Sequence, residues 1–135
     1  MAVRHLYLAR HAEPDADGRL TPRGARQAGL LGRRLAGLPL SSVAHGPLPR
    51  ATATAALVAA ELGGGVPLTE LDAAGDYVPH VPSPQEIHPD HRAGVSAFLD
   101  GVSAEEQARG AELAAEAIRR WTGPEPERTT ATTSS

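Results

Sequence analysis

The chain reads as short apolar runs alternating with helical stripes, separated by joints rich in glycine and proline. Val3 to Ala9 is short, apolar on average and rich in residues suited to a pleated surface, which predicts a strand almost at the start. A polar loop follows from Glu13 to Leu20, with Pro14, Asp15, Asp17 and Gly18. Thr21 then stands as an N-cap and Pro22 as a first helical residue. Gly24, Ala28, Leu31, Leu35 and Leu38 recur at steps of three and four and mark one buried helix face, which Pro39 ends. Gly29, Gly32 and Gly37 weaken this helix intrinsically, so packing must hold it.

The same alternation repeats. Leu40 to His45 is a weak second strand, and Gly46-Pro47-Leu48-Pro49 a turn. A second helix is predicted from Pro49 to Leu62, with Ala51, Ala55, Val58 and Leu62 as its apolar stripe and Gly63-Gly64-Gly65 closing it. Val66 to Leu71 reads as a third strand. Residues 72 to 92 break the rhythm: Pro79, Pro82, Pro84 and Pro89 exclude a continuous helix and predict an ordered surface loop. Gly94 to Asp100 predicts a short helix, and Ser103 with Glu106 forms a capping box that opens a long one to Trp121. Ala104, Ala108, Ala111, Ala115 and Ile118 are its expected buried stripe, and Gly123-Pro124 its end. Residues 124–135 form a Thr/Ser-rich tail with little to bury, expected to be disordered.

Strand, helix, strand, helix, strand with short joints is the pattern of an α/β fold with a mostly parallel sheet. At 135 residues the chain suits one domain, taken as residues 1–123. Aromatic residues make up only 3%, so the core must come from Ala, Leu and Val, and a base-stacking platform for nucleic acid is not expected. A net charge of −3 gives no global field for DNA or an anionic membrane. The absence of Cys excludes disulfides, thiolate metal sites and Cys nucleophiles. No apolar run reaches the roughly 20 residues of a membrane span, and no signal-peptide stretch is visible, so a cytoplasmic location is the expectation. All 13 basic residues are Arg, which removes Lys-based chemistry and leaves guanidinium recognition of an oxyanion open.

Arg10 and His11 follow the first predicted strand directly, and Arg50 follows the second at the first turn of a helix. In an open α/β sheet ligands bind beyond the carboxyl ends of strands, and a helix N-terminus favours an anion. Two guanidinium forks, a helix end and an imidazole suit a tetrahedral oxyanion, most simply phosphate. Beside two cations an imidazole tends to its neutral form, whose lone pair can attack phosphorus. The arginines would hold the equatorial oxygens, so no metal or cofactor is required. An arbitrary Arg-His pair more often caps a strand and faces water, and local physics alone does not choose.

Three blocks carry a resemblance. Leu8 to Pro14 (LARHAEP) resembles the Arg-His-Gly-Glu signature of the histidine phosphatase superfamily, the phosphoglycerate mutase-like fold. Leu20 to Ala28 (LTPRGARQA) is similar to that family's Leu-Thr-x-x-Gly-x-x-Gln-Ala block, and His45 to Ala55 (HGPLPRATATA) to its Ser-Pro-Leu-x-Arg-Ala-x-x-Thr-Ala block. Order and spacing fit over about residues 3–71, and the rest matches in outline. The resemblance implies a three-layer α/β/α sandwich, His11 as a nucleophile that becomes phosphorylated, and Arg10 and Arg50 as phosphate ligands. It also implies a proton donor in a Leu-x-Glu stretch, here Leu68-Thr69-Glu70; Glu70 is the expected acid and Asp72 the alternative.

The departures matter as well. Ala12 replaces the common Gly, and His45-Gly46 stands where a Ser pair is usual. Asp76-Tyr77-Val78-Pro79 replaces an aromatic-Glu-Gly element. The family's second pocket His, on a later strand, has no counterpart in residues 122–135, so the C-terminal strands are expected to be missing and activity impaired. His80, His88 and His91 with Asp90 lack the helical spacing of a zinc site, and no metal is expected there. His5 reads as structural, and Glu13, Asp15 and Asp17 as loop charges. The expected activity is phosphomonoester hydrolysis on a small molecule or phosphoprotein. The alternatives are an inactive phosphate-binding domain, a mutase-type phosphotransferase and a metal hydrolase using residues 80–91. Oligomeric state is not encoded in any pattern found.

Overall fold

A computed structural model describes residues 4–122, which form two compact units, residues 4–76 and 77–122. The expected tail at 124–135 and the Gly123-Pro124 helix end lie outside the described residues. In the first unit the helix α1 spans Pro22–Leu35, the strand β1 Val43–His45, the helix α2 Pro49–Glu61 and the strand β2 Leu68–Glu70. β1 and β2 run parallel with Val43, Ala44 and His45 opposite Leu68, Thr69 and Glu70. The crossover between them is α2, so the two strands and the helix make one βαβ unit.

Local chemistry accounts for these bounds. The Thr21 hydroxyl accepts the Gly24 N–H at 2.9 Å and Pro22 opens α1, as the cap signal predicts. Pro49 opens α2, and Gly63, Gly64 and Gly65 beyond its end all lie at φ near +80°, a region that side chains with a Cβ disfavour. The α1 face carrying Gly24, Ala28 and Gly32 is buried, and so is the α2 face carrying Thr54, Ala55 and Val58. At Gly32 a Cβ would meet the Val58 carbonyl at 2.8 Å, so the missing side chain is what lets α1 and α2 approach.

The predicted strand at residues 3–9 does not form among the described residues. Residues 4–9 carry no regular secondary structure, and Leu6, Tyr7 and Leu8 are exposed, Leu8 by 85%. Strand propensity describes fit to a pleated neighbour, and an isolated extended segment has no ladder to join. The two strands that do form are shorter than expected, each trimmed to three residues.

The second unit holds 3-10 turns at Pro84–Glu86 and Pro89–His91, the helix α3 over Arg92–Asp100 and the helix α4 over Ala104–Thr122. The capping box forms: Ser103 N–H donates to Glu106 Oε2 at 2.8 Å and Glu106 N–H to Ser103 Oγ at 3.1 Å. The predicted buried stripe of α4 is corrected. Ala104, Ala108, Ala111, Ala115 and Ile118 are exposed, while Gly110 and Leu113 are buried. Gly110 lies directly against the Val78 backbone, where a Cβ would overlap the carbonyl. Burying one Leu removes more apolar surface than burying an Ala, so this contact and Leu113 set the helix rotation.

In the loop before α3, Glu86 accepts from His80 Nε2 at 3.0 Å and from the Ser83 amide and hydroxyl at 3.1 Å. The His80 hydrogen bond first, then those from Ser83, hold the Glu86 carboxyl below its usual range. A lowered carboxyl stabilises the loop above the ordinary Glu range and loses that contribution as pH falls through the lowered value. Carbon NMR titration is expected to give Glu86 a midpoint below the ordinary Glu range, and His80→Ala to raise it.

A second prediction follows from the glycines of α1. A Cβ at Gly24 would overlap the Glu13 carbonyl, whereas one at Gly29 meets nothing within 4 Å. In urea unfolding, Gly24→Ala is expected to destabilise by about 1–3 kcal/mol. Gly29→Ala is expected to stabilise by about 0.5–1 kcal/mol.

Candidate active site

Residues 10–13 lie between the two helices of the first unit, and each helix holds them by one side chain. From α2, the Thr54 hydroxyl accepts the buried Ala12 N–H at 3.0 Å and donates to the Arg50 carbonyl one turn back at 2.7 Å. From α1, Gln27 Oε1 accepts the Glu13 N–H at 3.0 Å. The Glu13 carbonyl takes the Thr21 N–H at 3.1 Å, and Glu13 Oε2 takes the Thr21 hydroxyl at 3.0 Å. Gly24 makes room for this strap, because its missing side chain is where the Glu13 backbone runs.

The strap orients His11. Its Nδ1 lies 2.9 Å from the Ala12 carbonyl oxygen. A carbonyl only accepts, so Nδ1 carries the proton, and in the neutral ring Nε2 keeps the lone pair. The ring is half-buried beside a cavity of about 120 Å³ lined by Arg10, His11, Ala12, Gln27, Ala28, Leu31 and Thr54. Arg10, His11 and Gln27 therefore line one small concavity.

Not every expected site residue meets there. Arg50 sits in the first turn of α2, one turn from Thr54, but its guanidinium does not line this cavity. Its Nη2 bonds Asp76 Oδ2 at 2.9 Å, and its buried Nε has no hydrogen-bond partner among the described residues. Glu70 is exposed at the end of β2, opposite His45 in the ladder, and does not line the cavity either. Asp72 opens a 3-10 turn, Asp72–Ala74, just beyond. His45 repeats the His11 arrangement, with Nδ1 2.8 Å from the Gly46 carbonyl oxygen. Among the described residues no group of three or more His, Asp or Glu side chains is placed to hold a metal.

Sequence reasoning missed Thr54, Gln27 and Asp76. The first two were visible as the Thr and Gln of the quoted blocks, but neither carries reactive chemistry, so nothing local marked them as fasteners. Asp76 gave no signal, since its partner Arg50 is 26 residues away.

Comparison with known proteins was made on these residues. The model of the histidine phosphatase superfamily (branch 1) matches residues 6–123. The mitochondrial serine/threonine-protein phosphatase PGAM5 of Mus musculus is 34% identical over 112 residues, which is 77% of this chain and 38% of that protein. The Rattus norvegicus and Homo sapiens proteins of the same name match at the same identity and coverage. The chain thus spans 38% of the length of these curated relatives.

The strap yields a prediction. Thr54→Val removes the acceptor of a buried N–H, which costs about 1–3 kcal/mol. Urea unfolding is expected to show that loss for Thr54→Val and to show most of it restored in Thr54→Ser.

Proposed function

The chain belongs to the histidine phosphatase superfamily, and from that premise we propose that it hydrolyses phosphomonoesters through a phosphohistidine on His11. The observation that carries this is the Nδ1 hydrogen bond to the Ala12 carbonyl oxygen, which leaves the Nε2 lone pair as the nucleophile beside Arg10.

In the first step Nε2 bonds phosphorus as the phosphorus–oxygen ester bond breaks. The leaving alkoxide takes a proton from a protonated carboxyl group at the end of β2 or just after it, Glu70 with Asp72 as the alternative, which is left as carboxylate. Water then attacks phosphorus, returns a proton to that carboxylate, releases phosphate and restores His11. Arg10 and Arg50 bear the charge that moves among the equatorial oxygens, so the route uses no metal. The βαβ unit of the first compact unit is proposed as part of a three-layer α/β/α sandwich.

The substrate is a small phosphomonoester or a phosphoprotein. The name of the PGAM5 relatives, a serine/threonine-protein phosphatase, favours phosphoserine and phosphothreonine as first compounds to try. The location is proposed as cytoplasmic, while the relatives' names place those proteins in mitochondria. A second reading, phosphate binding without turnover, is favoured by one observation: Arg50 is paired with Asp76 outside the cavity that His11 lines.

Turnover of an aryl phosphate separates the two. His11→Ala is expected to lower kcat/KM by at least about a thousandfold. Radiolabelled phosphate is expected to remain on the wild-type chain after a rapid quench and not on the variant. Equal activity in His11→Ala removes the nucleophile assignment, and phosphate binding without any wild-type turnover selects the second reading.

A further inference from the structure

We propose that Asp76 is an internal anion that holds Arg50 in the unliganded protein and yields it to the phosphoryl group, so that this carboxylate sets how tightly the site takes phosphate. The inference rests on the reading that Arg50 binds phosphoryl oxygens.

The hold is a weak form of a strong interaction. One carboxylate oxygen meets one guanidinium nitrogen, Oδ2 to Nη2 at 2.9 Å. Guanidinium offers five donors in a planar fork, and carboxylates or phosphates bind it best through two parallel bonds. Here the buried Nε–H has no acceptor among the described residues. Asp76 therefore engages Arg50 only in part, and a tetrahedral anion with several free oxygens offers the fork more acceptors than this single contact. The two partners also differ in freedom: the Arg50 side chain is 25% exposed and that of Asp76 72%. The more exposed carboxylate can swing into water at little cost and so release the guanidinium.

Backbone packing delivers Asp76 to this point. A Cβ on Gly46 would lie 2.6 Å from Gly75 Cα, and one on Gly75 would lie 3.2 Å from the Pro47 ring. Gly75 N–H also donates to the Asp72 carbonyl at 2.9 Å. The chain leaving β2 is thus pressed against the turn that enters α2, which brings its next residue, Asp76, within reach of the Arg50 side chain. The N-cap position of α2 is Leu48, which makes no side-chain capping bond. Whatever makes the location good for a carboxylate makes it good for phosphate, and two anions compete for one cation.

Inorganic phosphate is the probe. Its dissociation constant is measured by calorimetry on the full chain, and its inhibition of aryl phosphate turnover is measured in parallel. For an ion pair with an exposed partner, Asp76→Asn is expected to tighten phosphate and lower KM by about two- to fivefold, with kcat unchanged. Asp76→Ser repeats the measurement should the Asn variant fold poorly, and Asp76→Glu is expected to stay near wild type. Unchanged or weaker phosphate binding in the folded Asn or Ser variant overturns the proposal, weaker binding meaning that Asp76 positions Arg50 for its ligand. Arg50→Met tests the premise separately: if it leaves phosphate binding intact, the reading of Arg50 has failed, and the role of Asp76 with it. If Arg50→Met abolishes binding while Asp76→Asn changes nothing, only the inference fails.

Discussion

The hydrogen bond from the Ala12 amide to the Thr54 hydroxyl joins the segment carrying His11 to the helix carrying Arg50. Much of the first unit depends on it. A buried N–H must find an acceptor, and among the described residues no strand pairs with residues 4–12 to provide one. Thr serves because its hydroxyl can donate to the Arg50 carbonyl while accepting from Ala12. Its bond to its own helix fixes the hydroxyl, and the hydroxyl fixes the strap. With Gln27 and Gly24 acting from α1, the imidazole of His11 gains a fixed place from residues that do no chemistry themselves.

Charge follows the same local logic. The chain is acidic overall, yet the turns and helix ends around the strap carry arginines without a single lysine. A guanidinium stays charged under all ordinary conditions, so each must find an anion or water. Arg10 opens on the cavity with His11, and Arg50 turns to Asp76. Both arrangements create anion-directed donors in a protein whose net field would repel anions. Any recognition of phosphate is therefore short-ranged and depends on where each fork is held.

The core is built from small residues, and this makes backbone contact the main packing device. Ala12, Ala28, Ala55, Val58 and Ala73 form the buried apolar set of the first unit. Gly32 lets α1 meet α2, Gly46 meets Gly75, and in the second unit Gly110 meets Val78. Such contacts are invisible to hydrophobic periodicity, which weights side chains. Periodicity therefore worked on α1 and α2, where Leu and Val mark the face, and failed on α4. There an alanine stripe scored as apolar but offered little area, and a glycine and a leucine determined which side faces inward.

Read alone, the sequence was sufficient for the helices, their caps, the glycine stop after α2, the two strands that pair and the family, because all of these are written in residues close together or in blocks of fixed spacing. His11, Arg10, Arg50 and Glu70 were also named from it. Tertiary structure alone decided three things. Residues 4–9 join no strand among the described residues, since a strand exists only through its neighbour. Arg10 and His11 share a cavity with Gln27 and Thr54, while Glu70 stands apart. Arg50 is engaged by a carboxylate 26 residues away. Each of these depends on which groups end within about 3 Å of one another, a distance that sequence separation does not encode.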